Sequence, residues 1–398
     1  MNEQLNLGNR RLVGQQQARE KLVKIIERER LSHAYLFTGP QGCGKKALAL
    51  AFAEVINGIE NLSDLGDRAE SKKSSWFTHP DVHMFLPIPT HVTLNEMRSR
   101  LEMLKEDPYD VVDFSIRPSL ENEDSTQNKR TFYPIDYFRD TIRPAALLKP
   151  NEGRKTVIIL DEVDRMRTEA ANAFLKLLEE PAPNLMFILT SSHQENLLPT
   201  ITSRCQIIQM PPLRPDEVEE GLMSYDGKSE EDAAYLARIS RGNYSLTRFY
   251  DTQSLKETRK EVIGFLRHAY QQNAPGIISA IEKWNAEHNN EGLITLLNIL
   301  ETFIRDLMVY RVTGSENEIT NIDQLKVIHN FTQSLQDARL DDMIVHVGKL
   351  RAAIYQNVQF KYIATALAFR FAALMRGKDP YIPNRNSWMH LPAVETDS

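Results

Sequence analysis

Apolar residues recur along this chain with two different periods, and the place where one gives way to the other divides it. Up to about residue 210, short continuous apolar runs alternate with stretches of helical period. Residues 14–30 (GQQQAREKLVKIIERER) put Leu22, Ile25 and Ile26 on one side of a helix and charges elsewhere. Residues 34–38 read as a short buried strand, and 46–57 as an apolar helix closed by Gly58. A strand-like VHMFLPI starts at Val82, and a helix is expected over 135–148, ended by Pro150 and Gly153. Residues 157–160 are wholly apolar, as suits a strand covered on both faces of a parallel sheet. Residues 168–180 present Ala170, Ala173, Phe174 and Leu177 as a packing stripe and stop at Pro181. A further strand over 185–190 leads to a helix and then to ITSRCQIIQM. Strands alternating with helices of this length imply a doubly wound α/β domain with a parallel sheet.

Past Pro211-Pro212 the strand signals stop. Residues 215–250 read as a small helical unit broken at Gly242, and long amphipathic helices follow from 254. In 293–308 the residues Leu293, Leu297, Leu300, Ile304 and Leu307 keep helical spacing, and 354–375 reads as a second long helix. The expected division is an α/β domain over 1–212, a small helical domain over 213–252, an all-helical domain of roughly five helices over 253–379, and a tail over 380–398. That tail holds three prolines and no period, so an extended or disordered segment is expected. The polar stretches 59–75 and 121–130 read as surface loops or insertions.

Composition changes this picture mainly by exclusion. A chain of 398 residues is long enough for two or three domains of about 100–200 residues each. A net charge of −6 gives no overall attraction to nucleic acid, so any DNA contact needs a local basic face. The two cysteines, Cys43 and Cys205, make neither a disulfide framework nor a metal cluster. His79 and His83 stand four apart, but Pro80 between them argues against one shared helical face, and no metal site is expected. No run of about 18 apolar residues is present, and the start MNEQLNLGNRR lacks the apolar core of a signal peptide, so the expected location is the cytoplasm.

The candidate chemistry sits where strands end. LFTGPQGCGKKAL (36–48) follows G-x-x-x-x-G-K-[ST] at Gly39, Gly44 and Lys45, with Gly42 inside the loop, but Lys46 stands where a hydroxyl is required. Glycines let backbone N–H groups turn onto a phosphate, the helix start adds its positive end, and Lys45 can reach the terminal phosphates. The hydroxyl normally contributes to the Mg²⁺ site. About 115 residues later, VIILDEVD places Asp161 to hold Mg²⁺ and Glu162 to polarise an attacking water. Asp161 is a metal residue here only if Mg-ATP binds. Arg204, in Ser203-Arg204-Cys205, could point out of the domain at a neighbour's nucleotide.

The segments LSHAYLFTGPQGCGKKALALAFAEVING, HPDV, VIILDEVDRM, ANAFLKLLEEPAPNLMFILTSS, LLPTITSRCQ and PPLRP, in this order, resemble the AAA+ subunits of bacterial DNA polymerase III clamp loaders, nearest the delta-prime type. The likeness covers roughly residues 11–250, and the helical remainder, including FIRDLMVYR, more loosely. It implies that 213–252 is the AAA+ lid and 253–379 the collar that holds a pentameric ring together. It makes Arg204 an arginine finger for an adjacent motor subunit and places Ser191 at the sensor 1 position. The implied partners are the gamma/tau motors and delta, the sliding clamp, and primed DNA in the assembled complex.

Departures from that pattern fall on the chain's own nucleotide site. Position 46 lacks the hydroxyl, and Ser245 in Gly242-Asn243-Tyr244-Ser245 stands where motor subunits carry a sensor 2 arginine. Arg248, a turn later, could substitute only if the helix were rotated. The four-cysteine zinc module of many relatives is missing between Ile59 and Thr78, so no zinc is expected. The resemblance therefore implies a stator that supplies Arg204 to its neighbour and has weak or vestigial ATP/Mg binding of its own. Intact Asp161 and Glu162 leave open an active gamma/tau-like motor ATPase, and a homohexameric AAA+ remodeller is a third reading. No polymerase active site is visible, so DNA-directed DNA polymerase (nucleotidyltransferase) activity would belong to the whole holoenzyme.

Overall fold

The structure is a computed structural model that describes residues 12–57, 80–120, 130–151, 153–248, 250–316, 319–355 and 358–378. The expected insertion 59–75, nearly all of the loop 121–130 and the tail 380–398 lie outside the described residues. The chain forms two compact units, Met1–Thr252 and Gln253–Ser398.

The first unit is built on a five-stranded parallel sheet in the order β2-β3-β4-β1-β5. Its strands are β1 (Ala34–Thr38), β2 (Val82–Phe85), β3 (Thr156–Leu160), β4 (Leu185–Ser191) and β5 (Gln206–Gln209). Every residue of β3 and β4 is buried, which is why these runs read as continuous rather than alternating. Because β1 lies between β4 and β5, the strand order reverses there. The loops after β1, β3 and β4 are thereby gathered at one edge, where ligands of open α/β sheets bind.

The first helices are α1 (Gln16–Glu27), α2 (Lys45–Ile56) and α3 (Leu94–Glu106). The sequence reading missed α3, although its start carries a usable signal: Thr93 and Glu96 form a reciprocal capping box. The helix expected over 135–148 is not uniform. It runs through α4 (Ile135–Tyr137), a π-helical turn (Phe138–Ile142) and α5 (Arg143–Ala146). The helix α6 (Thr168–Glu179) packs Phe174 edge-on to both Phe187 and Phe138. Its buried stripe is Ala170, Ala171, Phe174 and Leu178, so the expected Ala173 and Leu177 sit only at its margin. The short α7 (Pro199–Thr202) precedes β5, and the unit closes with α8 (Pro215–Asp226), α9 (Glu230–Ser240) and α10 (Tyr244–Thr247).

Six α-helices make up the described part of the second unit, rather than roughly five: α11 (Thr252–Gln271), α12 (Ala274–Glu287), α13 (Asn290–Thr313), α14 (Leu325–Ser334), α15 (Leu340–Tyr355) and α16 (Phe360–Leu374). The residues Leu293, Leu297, Leu300, Ile304 and Leu307 are all buried, as their spacing requires. The single helix expected over 354–375 is two helices. Ile354 lies in the last turn of α15, and the Val358 N–H reaches back to Ala353 O at 3.0 Å, closing that helix before α16 begins. Among the described residues, no helix is long and apolar enough to cross a membrane.

Candidate functional site

The turn after β1 is a phosphate-loop backbone. The Gly39 N–H donates to Ser191 O at 3.2 Å, which ties the loop to the end of β4. Gly42 and Gly44 have φ of 69° and 98°, a region costly for any residue with a Cβ. A Cβ on Gly42 would also lie 1.7 Å from Asn243 Oδ1, so the glycine is required sterically as well.

Lys45 is buried and turned back into this loop. Its Nζ donates to Gly39 O (2.8 Å), Pro40 O (2.9 Å) and Ser192 Oγ (2.8 Å), and lies 3.3 Å from Glu162 Oε1. Burial works against its charge, but Glu162, Cys43 and Asp161 together outweigh it and hold Lys45 above the ordinary lysine value. Lys46, in the hydroxyl position, lies 3.6 Å from Asp161 Oδ2. The two loop lysines are thus divided between the two adjacent carboxylates at the end of β3.

Those carboxylates are buried and fully engaged. Asp161 Oδ1 accepts from Thr190 Oγ1 at 2.7 Å; burial raises its pKa, and Lys46 opposes the rise. Glu162 adopts a left-handed backbone with φ of 48°, a strained conformation for a side chain of its size. Its N–H donates to Thr190 Oγ1, Oε1 accepts from Ser192 Oγ (2.8 Å), and Oε2 accepts from Ser192 N–H (2.9 Å). Burial alone would raise its pKa, but Lys45, Arg165 and Ser192 hold it down to about 2. Glu162 therefore stays ionised at neutral pH and is a fixed counter-charge to Lys45.

Ser191 does not face the loop. Its Oγ donates to Asp164 Oδ1 at 2.8 Å, while the neighbouring Ser192 makes the contacts to Lys45 and Glu162. Thr190 and Ser192 were missed as site residues. The available signal is the run of three hydroxyls, Thr190, Ser191 and Ser192, at and just past the end of β4.

An open cleft of about 570 Å³, its mouth included, runs along the loop. Gly42, Gly44, Lys45, Lys46, Asp161 and Glu162 line it on one side. Asn243, Ser245 and Leu246 line it from the end of the helical subdomain, and Tyr109, Asp110, Asp113 and Ile116 from the stretch after α3. The helical subdomain rests directly on the loop: N–H groups of Tyr244 (3.1 Å) and Ser245 (3.4 Å) both donate to Gly42 O. Arg248 does not substitute for the missing arginine. It is ion-paired to Asp226, at 3.1 Å, and to Asp107, which commits its guanidinium away from the phosphate loop. Asp113 pairs in two-pronged fashion with Arg165, at 2.7 and 2.9 Å, just beyond the β3 carboxylates.

The loop fits a phosphate in backbone shape, but the donor set does not fit Mg²⁺. A cation is already seated beside Asp161 where the hydroxyl would be, and the other carboxylate is spent on Lys45 and Ser192. Among the described residues, no group of three or more His, Cys, Asp or Glu side chains is placed to hold a metal ion.

Arg204 lies outside the cleft. It follows α7 at the surface, where its guanidinium donates to Thr200 O (2.9 Å) and pairs with Glu179 of α6 (2.8 Å). Its side chain is 35% exposed, and an exposed pair of this kind holds an arginine with less than about 1 kcal/mol.

The family described as "DNA polymerase III, delta subunit" matches residues 14–214, and "DNA polymerase III, delta subunit, C terminal" matches residues 253–362. DNA polymerase III subunit delta' of Bacillus subtilis is 25% identical over 343 residues, which span 85% of this chain and 90% of that protein. The delta' subunit of Pseudomonas aeruginosa is 26% identical over 301 residues, 75% of this chain and 78% of that one. The gamma/tau subunit of Mycobacterium bovis is 26% identical over 239 residues, but these span 59% of this chain and 34% of that protein.

Proposed function

The chain belongs to the DNA polymerase III delta-subunit family, and from that membership we propose that it works as a delta-prime-type stator of the clamp loader. In this reading it joins gamma/tau and delta subunits through its all-helical unit and its α/β unit. It helps them place the sliding clamp on primed DNA and supplies Arg204 to the ATP of an adjacent motor. Its own site contributes little or no hydrolysis.

The carrying observation is the pairing of Lys46 with Asp161 and of Lys45 with Glu162. Each charge that would act on Mg-ATP already has its opposite within the chain. Nucleotide binding would have to separate at least the Lys45 pair, and Mg²⁺ would have to displace the Lys46 ammonium from the Asp161 carboxylate. The surface Arg204, held among the described residues by Glu179 and the Thr200 carbonyl, has no such obstacle.

A second reading, an active gamma/tau-like motor, is favoured by the retained glycines, Lys45, Asp161 and Glu162 and by the gamma/tau relatives. ATP binding and hydrolysis by the isolated chain separate the two. The stator reading expects no turnover and weak binding, with Lys46→Thr raising Mg²⁺-dependent ATP affinity about tenfold or more. Motor-like hydrolysis that Glu162→Gln abolishes would replace it with the second reading.

A further inference from the structure

We infer that residues 107–117 form an internal strap that fastens the helical subdomain to the phosphate loop, so that α8–α10 keep one orientation whether or not nucleotide is present.

The strap is anchored at three separate places. Behind it, the buried Arg100 of α3 donates to Val112 O (2.9 Å) and Arg117 O (2.7 Å), with its guanidinium 3.7 Å over the Phe114 ring. In its middle, Asp113 holds Arg165, immediately after the β3 carboxylates. At its start, Asp107 pairs with Arg248, which also holds Asp226 at the end of α8. One guanidinium thus joins the strap to two parts of the helical subdomain.

Tyr109 closes the arrangement. Its hydroxyl accepts from the Val13 N–H at 2.8 Å, and its ring meets Tyr244 edge-on, with centroids 4.9 Å apart. The same ring covers Gly44, where an added Cβ would come 3.0 Å from the tyrosine oxygen. A ligand shifts an equilibrium between lid positions only by its difference in affinity for them. Here ion pairs, an aromatic contact and the two N–H bonds to Gly42 O already favour the closed position within the chain. Asp110 and Asp113 of the strap also line the cleft beside the loop. The inference is separate from the role given to Arg204, since every contact lies within the first unit.

Amide hydrogen exchange on the full chain, with α13 as internal reference, tests it. In the wild type, protection of α8 and α9 is expected to be the same with and without Mg-ATP. Asp107→Asn keeps the turn contact to the Tyr109 N–H but loses the charge pair, and Tyr109→Ala loses the ring contact. Each is expected to speed exchange in α8 and α9 about tenfold while α13 stays unchanged. If Asp107→Asn lowers α13 protection too, Tyr109→Phe, which drops only the Val13 contact, carries the comparison, with a smaller increase of about threefold expected. Unchanged α8–α9 exchange in the variants, or wild-type protection that rises severalfold on adding Mg-ATP, would overturn the strap. Hydrolysis by the isolated chain would overturn the stator reading and leave the exchange result to stand by itself.

Discussion

Replacing Arg204 by alanine is expected to leave this chain folded and able to join a reconstituted clamp loader while cutting hydrolysis at the site it serves by about a thousandfold or more. The first half follows from exposure. Among the described residues the arginine holds a half-exposed Glu179 and one backbone carbonyl, so its loss costs the fold less than about 1 kcal/mol. The second half follows from the chemistry of phosphoryl transfer, in which a guanidinium placed against the transferring group offsets charge that develops only in the transition state. Single-turnover ATP hydrolysis by the assembled complex measures the effect, with complex formation checked on the same sample. Glu179→Gln is the companion variant. It releases Arg204 from its partner without removing it, and hydrolysis within about twofold of wild type is expected. Normal single-turnover rates at every site of a complex carrying Arg204→Ala would end the arginine-finger reading.

Asp113→Asn is expected to destabilise the first unit by about 2–4 kcal/mol, because it leaves Arg165 largely buried without its counter-charge. Burial alone would raise the Asp113 pKa, yet Arg165 and the Ser115 donors hold it at about 2, below the ordinary 3.8. A depressed carboxylate contributes stability that is fully present above its unfolded pKa and is lost as pH falls through the folded one. The Asp113 contribution, roughly 2 kcal/mol when complete above about pH 4, therefore falls away as pH drops toward 2. Denaturant unfolding at pH 7 and at pH 2.5 checks both statements. The difference between wild type and Asp113→Asn should shrink at the lower pH, and a gap that stays constant would remove the ion pair as its cause.

Much of the fold was legible because it is written locally. The strand Ala34–Thr38 was read with its observed bounds, since a buried parallel strand needs an unbroken apolar run. The long helix α13 could be read from five apolar residues at helical spacing, all of which are buried. Where local rules compete, the reading slipped. The 354–375 segment has helical character throughout, but a backbone contact from Val358 to Ala353 divides it. In α6 the buried face is turned by about one residue from the expected stripe, because Phe138 and Phe187 decide where Phe174 packs.

The candidate site divides in the same way. The residue types at positions 39–46, 161–162 and 204 were visible, because a phosphate loop and an acidic strand end are short patterns. Their pairing was not. Lys46 and Asp161 are 115 positions apart, and nothing in either neighbourhood says that the ammonium would settle on that carboxylate.

By itself, then, the sequence determined the parallel α/β sheet, the run of helices after it, the glycine loop and the departure at Lys46. Each of these is fixed by the period or chemistry of neighbouring residues. Only the tertiary structure decided that Ser192 rather than Ser191 faces Lys45, that Arg248 belongs to Asp107 and Asp226, and that Tyr109 covers Gly44. Those contacts join residues far apart in the chain. Their partners are selected by the order of strands in the sheet and by the need of each buried charge for an opposite one, and no local pattern carries that information.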